Sequence, residues 1–212
     1  MGHFMSEFTS SITSRVAFHE TEDLVVRLKE GDDVAFQEVF ELYKDLVYTL
    51  ALNLLADKSE AMDVTQEVFF TLHRKIHQFR GDSSLKTWLY RVALNQAANR
   101  NRWWKRRRRS RTISLSLTRP ENGARELELI SDGVGPDRQM LSTELCQALR
   151  EGLDRLTFEQ RAAVTLRDVH SLSYQEISSV QGVHVGTVKS RIARGRETLR
   201  EHLKPYWEGR AL

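Results

Sequence analysis

Apolar positions in the first half of the chain recur every three or four residues. From Asp33 to Ala56 they fall at Phe36, Val39, Phe40, Tyr43, Leu46, Val47, Leu50, Ala51 and Leu54, the spacing of a long amphipathic helix with a broad buried stripe. Gly31 and the two aspartates after it separate this helix from a shorter one starting near Thr21. A third helix is predicted from about Ser59 to His77, with Val64, Val68, Leu72 and Ile76 facing inward and Asp63, Gln66, Glu67 and Phe70 on the other face. The run Phe79 to Ser84 breaks the period with a glycine and capping residues. It reads as a loop feeding a fourth helix over Leu85 to Arg102, whose stripe is Trp88, Leu89, Val92, Ala93 and Ala97.

Periodicity fades from Ser110 to about Met140, where Pro120, Gly123, Gly133, Gly135 and Pro136 accumulate, and this stretch reads as a linker. Helical spacing returns near Leu141, with helices expected at about Ser142 to Arg155, Phe158 to Val169, Tyr174 to Gln181 and Gly186 to His202. There is no strand pattern and no repeat of fixed period. The expected fold is all-α: a tail over 1–20, a helical domain over 21–110, a flexible linker over 111–140, a second helical domain over 141–205 and a short tail over 206–212.

The segment Ser173 to Leu203 carries the most specific chemistry. Tyr174, Ile177 and Val180 stripe a short helix, Gly182 permits a turn, and Val185, Val188, Ile192 and Leu199 stripe a second, strongly basic helix. That is the pattern of a helix-turn-helix DNA reader. On its polar face stand Thr187, Lys189, Ser190, Arg191 and Arg194, donors suited to phosphate oxygens and to guanine edges in a major groove.

Composition adds a partner. The chain has 212 residues, 40% hydrophobic and 29% charged, and a net charge of only +3, but the charge is unevenly placed. Arg100 to Arg111 is almost wholly cationic, with Trp103 and Trp104 in its midst, whereas Glu121 to Asp137 leans acidic. Such asymmetry points to a polyanion for one part of the molecule. The single cysteine, Cys146, forms neither an internal disulfide nor a zinc site of the usual kind and reads as a helix-core residue. His73 and His77 stand four apart on one helix without a third metal ligand in view, so neither metal nor cofactor is expected. No apolar run is long enough to insert in a membrane and no secretory block opens the chain, which implies a cytoplasmic protein. A Gly-rich phosphate loop, a metalloprotease-like metal spacing and a paired acidic motif for two-metal chemistry are all missing, so an enzyme is not expected.

The run Asp63 to Phe70, the run Phe79 to Asn95, and the two pieces LeuSerTyrGlnGluIleSer and GlyThrValLysSerArgIleAlaArgGlyArgGlu occur in an order and spacing that resembles the extracytoplasmic-function sigma factors, of the sigma-E type, over about Leu24 to Leu203. The resemblance implies a bacterial initiation factor without catalysis of its own, which binds core RNA polymerase and directs it to promoters with minus-ten and minus-thirty-five elements. It places the clamp helices of the polymerase's largest subunit against Asp63, Gln66, Glu67 and Phe70, and the flap of the second largest subunit among the partners. It assigns capture of a flipped minus-ten base to the loop of Phe79, Arg80, Gly81, Asp82 and Ser83, and the non-template strand to Trp88, Arg91 and Asn95. For Trp88, a place in the core is an equal alternative. Arg102, Lys105, Arg106 and Arg107 extend that helix as a phosphate-binding tail, and the resemblance puts the minus-thirty-five contacts at Thr187, Lys189, Ser190, Arg191, Ala193 and Arg194.

By the same resemblance the linker threads toward the active-site channel, where Glu121, Glu126, Glu128 and Asp132 would imitate nucleic acid; a plain tether is the alternative. A free factor of this kind can fold its domains together and hide both DNA surfaces, and is usually held by an anti-sigma factor. The competing reading of the residues alone is a stand-alone two-domain helix-turn-helix repressor or activator. Promoter sequence, regulon, stimulus and the identity of the inhibitor lie beyond the sequence.

Overall fold

The computed structural model describes residues 23–112 and 136–208, and every regular element in them is helical. In chain order these are α1 (23–30), α2 (Asp33–Leu55), α3 (Lys58–Lys75), a 3₁₀ turn (Ile76–Gln78), α4 (Leu85–Thr112), α5 (Pro136–Arg155), α6 (Phe158–Val164), a π-helical turn (Thr165–Val169), α7 (Tyr174–Gln181) and α8 (Val185–Glu208). The tail over 1–20, most of the linker with its four acidic residues, and the last four residues lie outside the described residues.

Local chemistry sets the element ends. Gly31 leaves α1 with φ +83°, and Asp32 then caps α2 by accepting from the amides of Val34 (2.8 Å) and Ala35 (3.3 Å). Asp57 caps α3 through the Glu60 amide. Ser84 caps α4, accepting from the Thr87 amide at 3.1 Å. Thr157 with Gln160 and Ser173 with Glu176 form reciprocal capping boxes on α6 and α7.

Helices α2, α3 and α4 make a three-helix bundle around Val39, Val47, Leu50, Val64, Val68, Leu72, Leu89 and Ala93, all essentially inaccessible to solvent. Helices α5 to α8 bury a smaller core of Ala162, Leu166, Ile177, Val188 and Ile192. Several boundaries differ from expectation, and α8 for one runs on to Glu208 where an end near His202 is expected. The fourth helix continues through the arginine run to Thr112, because Arg, Lys and Trp are all compatible with a helix once the first half is anchored. Helix α5 begins at Pro136, a residue suited to a first turn, inside what reads as linker. Helix α6 stops being α-helical at Val164 and widens into the π turn.

The two bundles meet where α4 packs against α7 and where α2 packs against α6 and the π turn. The π turn ends at His170. Its cap His170 lies edge-on to Tyr90 of α4, ring centroids 5.2 Å apart at 70°. Arg91 donates from Nε to the Ser179 carbonyl of α7 at 3.1 Å, and Arg161 of α6 donates to the Leu54 carbonyl at 3.1 Å. Leu54 sits in the last turn of α2, where carbonyls have no partner within the helix. Buried residues of the two bundles form one continuous apolar cluster.

Burial, with the Lys86 ammonium as a second cause, pushes His170 down to about 4, and burial pushes the Tyr90 hydroxyl well above its ordinary value. The packed form therefore holds the neutral imidazole, whereas a separated bundle would titrate it near 6.5. Stability from this contact is complete above pH 6.5 and falls as pH drops toward 4, since only the separated form takes up the proton over that window. Protection factors of the Tyr90 and Ser179 amides, corrected for the pH dependence of intrinsic exchange, are expected to fall across that range, and His170→Gln to flatten the dependence.

Candidate nucleic-acid interface

Gly182 closes α7 in the left-handed conformation (φ 64°), donating its amide to the Ser178 carbonyl, and α8 starts three residues later. Val188 and Ile192 are buried beneath α8, which turns Thr187, Lys189, Ser190, Ala193 and Arg194 outward, all five exposed. The Lys189 ammonium lies over the Tyr174 ring at 5.7 Å, and the Ser190 hydroxyl donates to the Thr187 carbonyl at 2.9 Å. Among the described residues the Arg194 guanidinium has no hydrogen-bond or ion-pair partner, so its fork of donors is presented to solvent. Arg191 differs: it is half-buried and donates to the Gln181 side chain at 2.7 Å, while Gln181 in turn donates to the Glu159 carbonyl at 3.2 Å. Expected as a phosphate donor, Arg191 here ties the two helices of the reader together. Gln181 was not legible as its partner, because an amide at a helix end carries no spacing signal.

On the first bundle, Phe79 is only 7% exposed and packs edge-on against Trp88 at 6.2 Å. Its ring belongs to the core. It anchors the loop whose next residues, Arg80, Gly81 (φ 79°) and Asp82, are exposed, with Ser83 half-buried. Trp88 is half-buried and packs against the core. Asn95 is exposed, and Arg91 is exposed along part of its length while its Nε is engaged by α7.

Beyond Ala97, α4 no longer faces the bundle. Arg102, Lys105, Arg106 and Arg107 are exposed, as are Trp103 (40%) and Trp104 (38%). The two indoles meet edge-to-face at 4.9 Å, and the Arg107 guanidinium lies over Trp103 at 4.8 Å. Gln96, Asn99, Arg100, Arg102, Trp103 and Arg106 line a shallow, open cleft of about 340 Å³. Asn95, Asn99, Arg102 and Arg106 follow one another at helical spacing, so the polar face of the fourth helix runs unbroken into its cationic end; Gln96 and Asn99 were missed, though that spacing marks them. Arg100 is not part of the open charge, since it pairs with Glu60 at 3.4 Å and Asp63 at 3.3 Å on α3.

Helix α3 presents Asp63, Gln66, Glu67 and Phe70 to solvent, with Phe70 65% exposed and Met62 57% exposed on the adjoining positions. An exposed aromatic ringed by carboxylates and an amide suits a basic helical partner. Among the described residues there is no group of three or more potential metal ligands, and no helix long and apolar enough to cross a membrane. His73 packs its ring against Phe36 at 5.7 Å.

Comparison with known proteins matches residues 39–111 to the family described as Sigma-70 region 2, and residues 146–199 to Sigma-70, region 4. The chain is 36% identical over 182 residues to the ECF RNA polymerase sigma-E factor of Escherichia coli strain K12, covering 86% of this chain and 93% of that one. It is 32% identical over 180 residues to the ECF RNA polymerase sigma factor SigW of Bacillus subtilis, covering 85% and 95%. The RNA polymerase sigma-H factor of Pseudomonas aeruginosa is 35% identical over 186 residues, covering 88% and 95%. Two solved structures share the fold. One is the sigma factor RpoE in complex with the anti-sigma factor NepR from Bartonella quintana (TM-score 0.60, 24% identity, 80% of this chain and 96% of that one). The other is CnrH in complex with the cytosolic domain of CnrY (TM-score 0.60, 18% identity, 87% and 97%).

The exposed cations of α4 have a measurable signature. Replacing Lys105 and Arg106 together by alanine is expected to weaken binding to DNA of any sequence about equally and to lower the slope of log affinity against log salt by roughly 1 to 2. A fluorescence-anisotropy titration at several salt concentrations reads both effects.

Proposed function

Because the chain belongs to the sigma-70 family, in its extracytoplasmic-function branch, we propose that it binds core RNA polymerase and starts transcription at promoters read through a minus-ten and a minus-thirty-five element. A sigma factor is an initiation factor and not an enzyme, so all of its work is differential binding. The observation that carries this reading is the pairing, in one chain, of an exposed recognition face on α8 with a polar face on α4 that runs into a cationic helix end.

In this reading α8 lies in the major groove of the minus-thirty-five duplex. Arg194, without an internal partner, reads a base edge; Thr187, Lys189 and Ser190 contact phosphates or edges beside it, and Ala193 leaves room for the groove. Arg191 contributes mainly by holding α7 against α8. On the first bundle, the loop of Arg80, Gly81, Asp82 and Ser83 takes an unpaired minus-ten base. A glycine there lets backbone amides approach the base edge, and the neighbouring side chains supply adaptable hydrogen bonds. Trp88, Arg91 and Asn95 hold the non-template strand, and Arg102, Lys105, Arg106 and Arg107 grip its backbone. Capture of unpaired bases offsets an unstacking cost of a few kcal/mol per step, which is how binding alone melts DNA.

Asp63, Gln66, Glu67 and Phe70 dock on the clamp helices of the largest polymerase subunit, and the second bundle meets the flap of the second largest. The chain would work in the cytoplasm, where its polymerase is. An anti-sigma factor is proposed as the controlling partner, in line with the complexes in which the two solved neighbours occur.

Run-off transcription with purified core polymerase, on a library of duplexes with randomised minus-ten and minus-thirty-five elements, tests the reading. Discrete transcripts are expected only when the chain is added. No transcripts and no binding to core, with specific duplex binding retained, would replace it by a stand-alone DNA-binding regulator. On the promoter so obtained, Arg194→Ala is expected to relax discrimination at one base pair by roughly 1 to 3 kcal/mol. Equal weakening on all sequences would make Arg194 a phosphate contact instead.

A further inference from the structure

Toward its end α4 carries two different faces. Asn95, Asn99, Arg102 and Arg106 follow one stripe, the one that continues the face proposed for the strand. Trp104 stands off that stripe. It comes seven residues after Ala97 and eleven after Ala93, close to two and three whole helical turns, so it continues the face that lower on the helix is buried against α2 and α3. Trp103 and Arg107 are its neighbours on the helix surface. Past Ala97 no described residue of α4 is buried, and both indoles are exposed. The rings meet edge-to-face and the Arg107 guanidinium lies over Trp103, so the three side chains form one self-packed block. Arg102, Lys105 and Arg106 stand at the same height of the helix, and Arg108, Arg109 and Arg111 follow before its end at Thr112.

A partner for this block has to supply negative charge and apolar surface together. A phosphate backbone supplies only the charge. Unpaired bases would supply apolar faces, but the indoles spend ring surface on each other and on Arg107, and Trp104 points away from the stripe that leads from Asn95. A bilayer with anionic headgroups offers both within one layer: phosphates for arginine and lysine, and the zone between headgroups and acyl chains in which indoles settle. We propose that the Trp103–Trp104 end of α4 is a peripheral docking element for an anionic lipid surface, with the two indoles seated in the interface and the surrounding cations on headgroups. Binding of this kind is reversible and weakened by salt, and it needs no membrane-crossing helix, of which the described residues hold none. It stands apart from the DNA roles given above but draws on the same cations. A chain seated on lipid has Lys105, Arg106 and Arg107 engaged there, so lipid and DNA compete for this helix end.

The test uses the full chain with vesicles of phosphatidylglycerol and phosphatidylethanolamine, and with phosphatidylcholine vesicles as the neutral control, at roughly 0.15 M salt. The chain is expected to sediment with the anionic vesicles and not with the neutral ones, and its tryptophan emission to move to shorter wavelength on binding. Trp103→Gln together with Trp104→Gln keeps every charge and a good helix former at both positions. This pair is expected to lose the emission shift and to bind vesicles about tenfold or more weakly, while its affinity for duplex DNA stays within about twofold. Trp103→Phe together with Trp104→Phe is expected to keep most of the vesicle affinity, and circular dichroism to show the helical content of both variants unchanged. Absence of binding to anionic vesicles overturns the proposal. Vesicle binding by the glutamine pair equal to that of the parent also overturns it, by reducing the contact to charge alone. Equal losses on vesicles and on duplex overturn it as well, and would assign the indoles to a nucleic-acid site.

Discussion

Everything in this structure hangs on the inner stripe of one helix. Leu85, Leu89, Ala93 and Ala97 of α4 are buried against α2 and α3, and Tyr90, one position off that stripe, is buried against the π turn of the other bundle. With about 25 cal/mol gained per Å² of apolar surface removed from water, this stripe fixes the helix firmly enough for the remaining third of it to continue as a cationic rod. The same anchoring sets the direction of Trp88, Arg91 and Asn95. The proposed strand-binding surface would fray if it were built on a helix end alone; here the first half of the helix is core and the second half is exposed.

The two bundles differ in how they hold their functional groups. On α8 the buried residues Val188 and Ile192 sit below and the polar face sits above, with Arg191 and Gln181 bracing the reader from its side. The reader is therefore rigid before DNA arrives, which lowers the ordering cost of binding. On α4 the cations beyond Ala97 are long and exposed and are held by neighbours on their own helix, Arg102 by Asn99 and Arg107 by Trp103, a state that suits the flexible strand proposed as partner.

Periodicity made most of this legible. The stripe of α2, the inward residues of α3, the exposed quartet Asp63, Gln66, Glu67 and Phe70, and the turn at Gly182 all follow from apolar spacing and one obligatory glycine. What escaped were pairings across sequence distance. Nothing near Arg100 announces Glu60 and Asp63, nothing near Arg191 announces Gln181, and Phe79 reads as part of a loop because its burial depends on Trp88 nine positions later. Helix ends were missed where neighbours, not propensity, decide: the arginine run is helical because α4 is already nucleated, and α6 widens at Thr165 because Thr165 and Leu166 are drawn into the core.

The junction between the bundles has a chemical asymmetry with a bearing on how such proteins diverge. Two of its hydrogen bonds run from an arginine side chain to a main-chain carbonyl, at Ser179 and at Leu54. Every residue type supplies that acceptor, so the receiving positions can drift without loosening the junction, provided the helices keep their course. The donor arginines, the Tyr90–His170 ring pair and the apolar side chains packed across the junction are the positions under side-chain constraint. Relatives can thus keep these two hydrogen bonds without any paired substitution across them, and a search for covarying positions would pass over both.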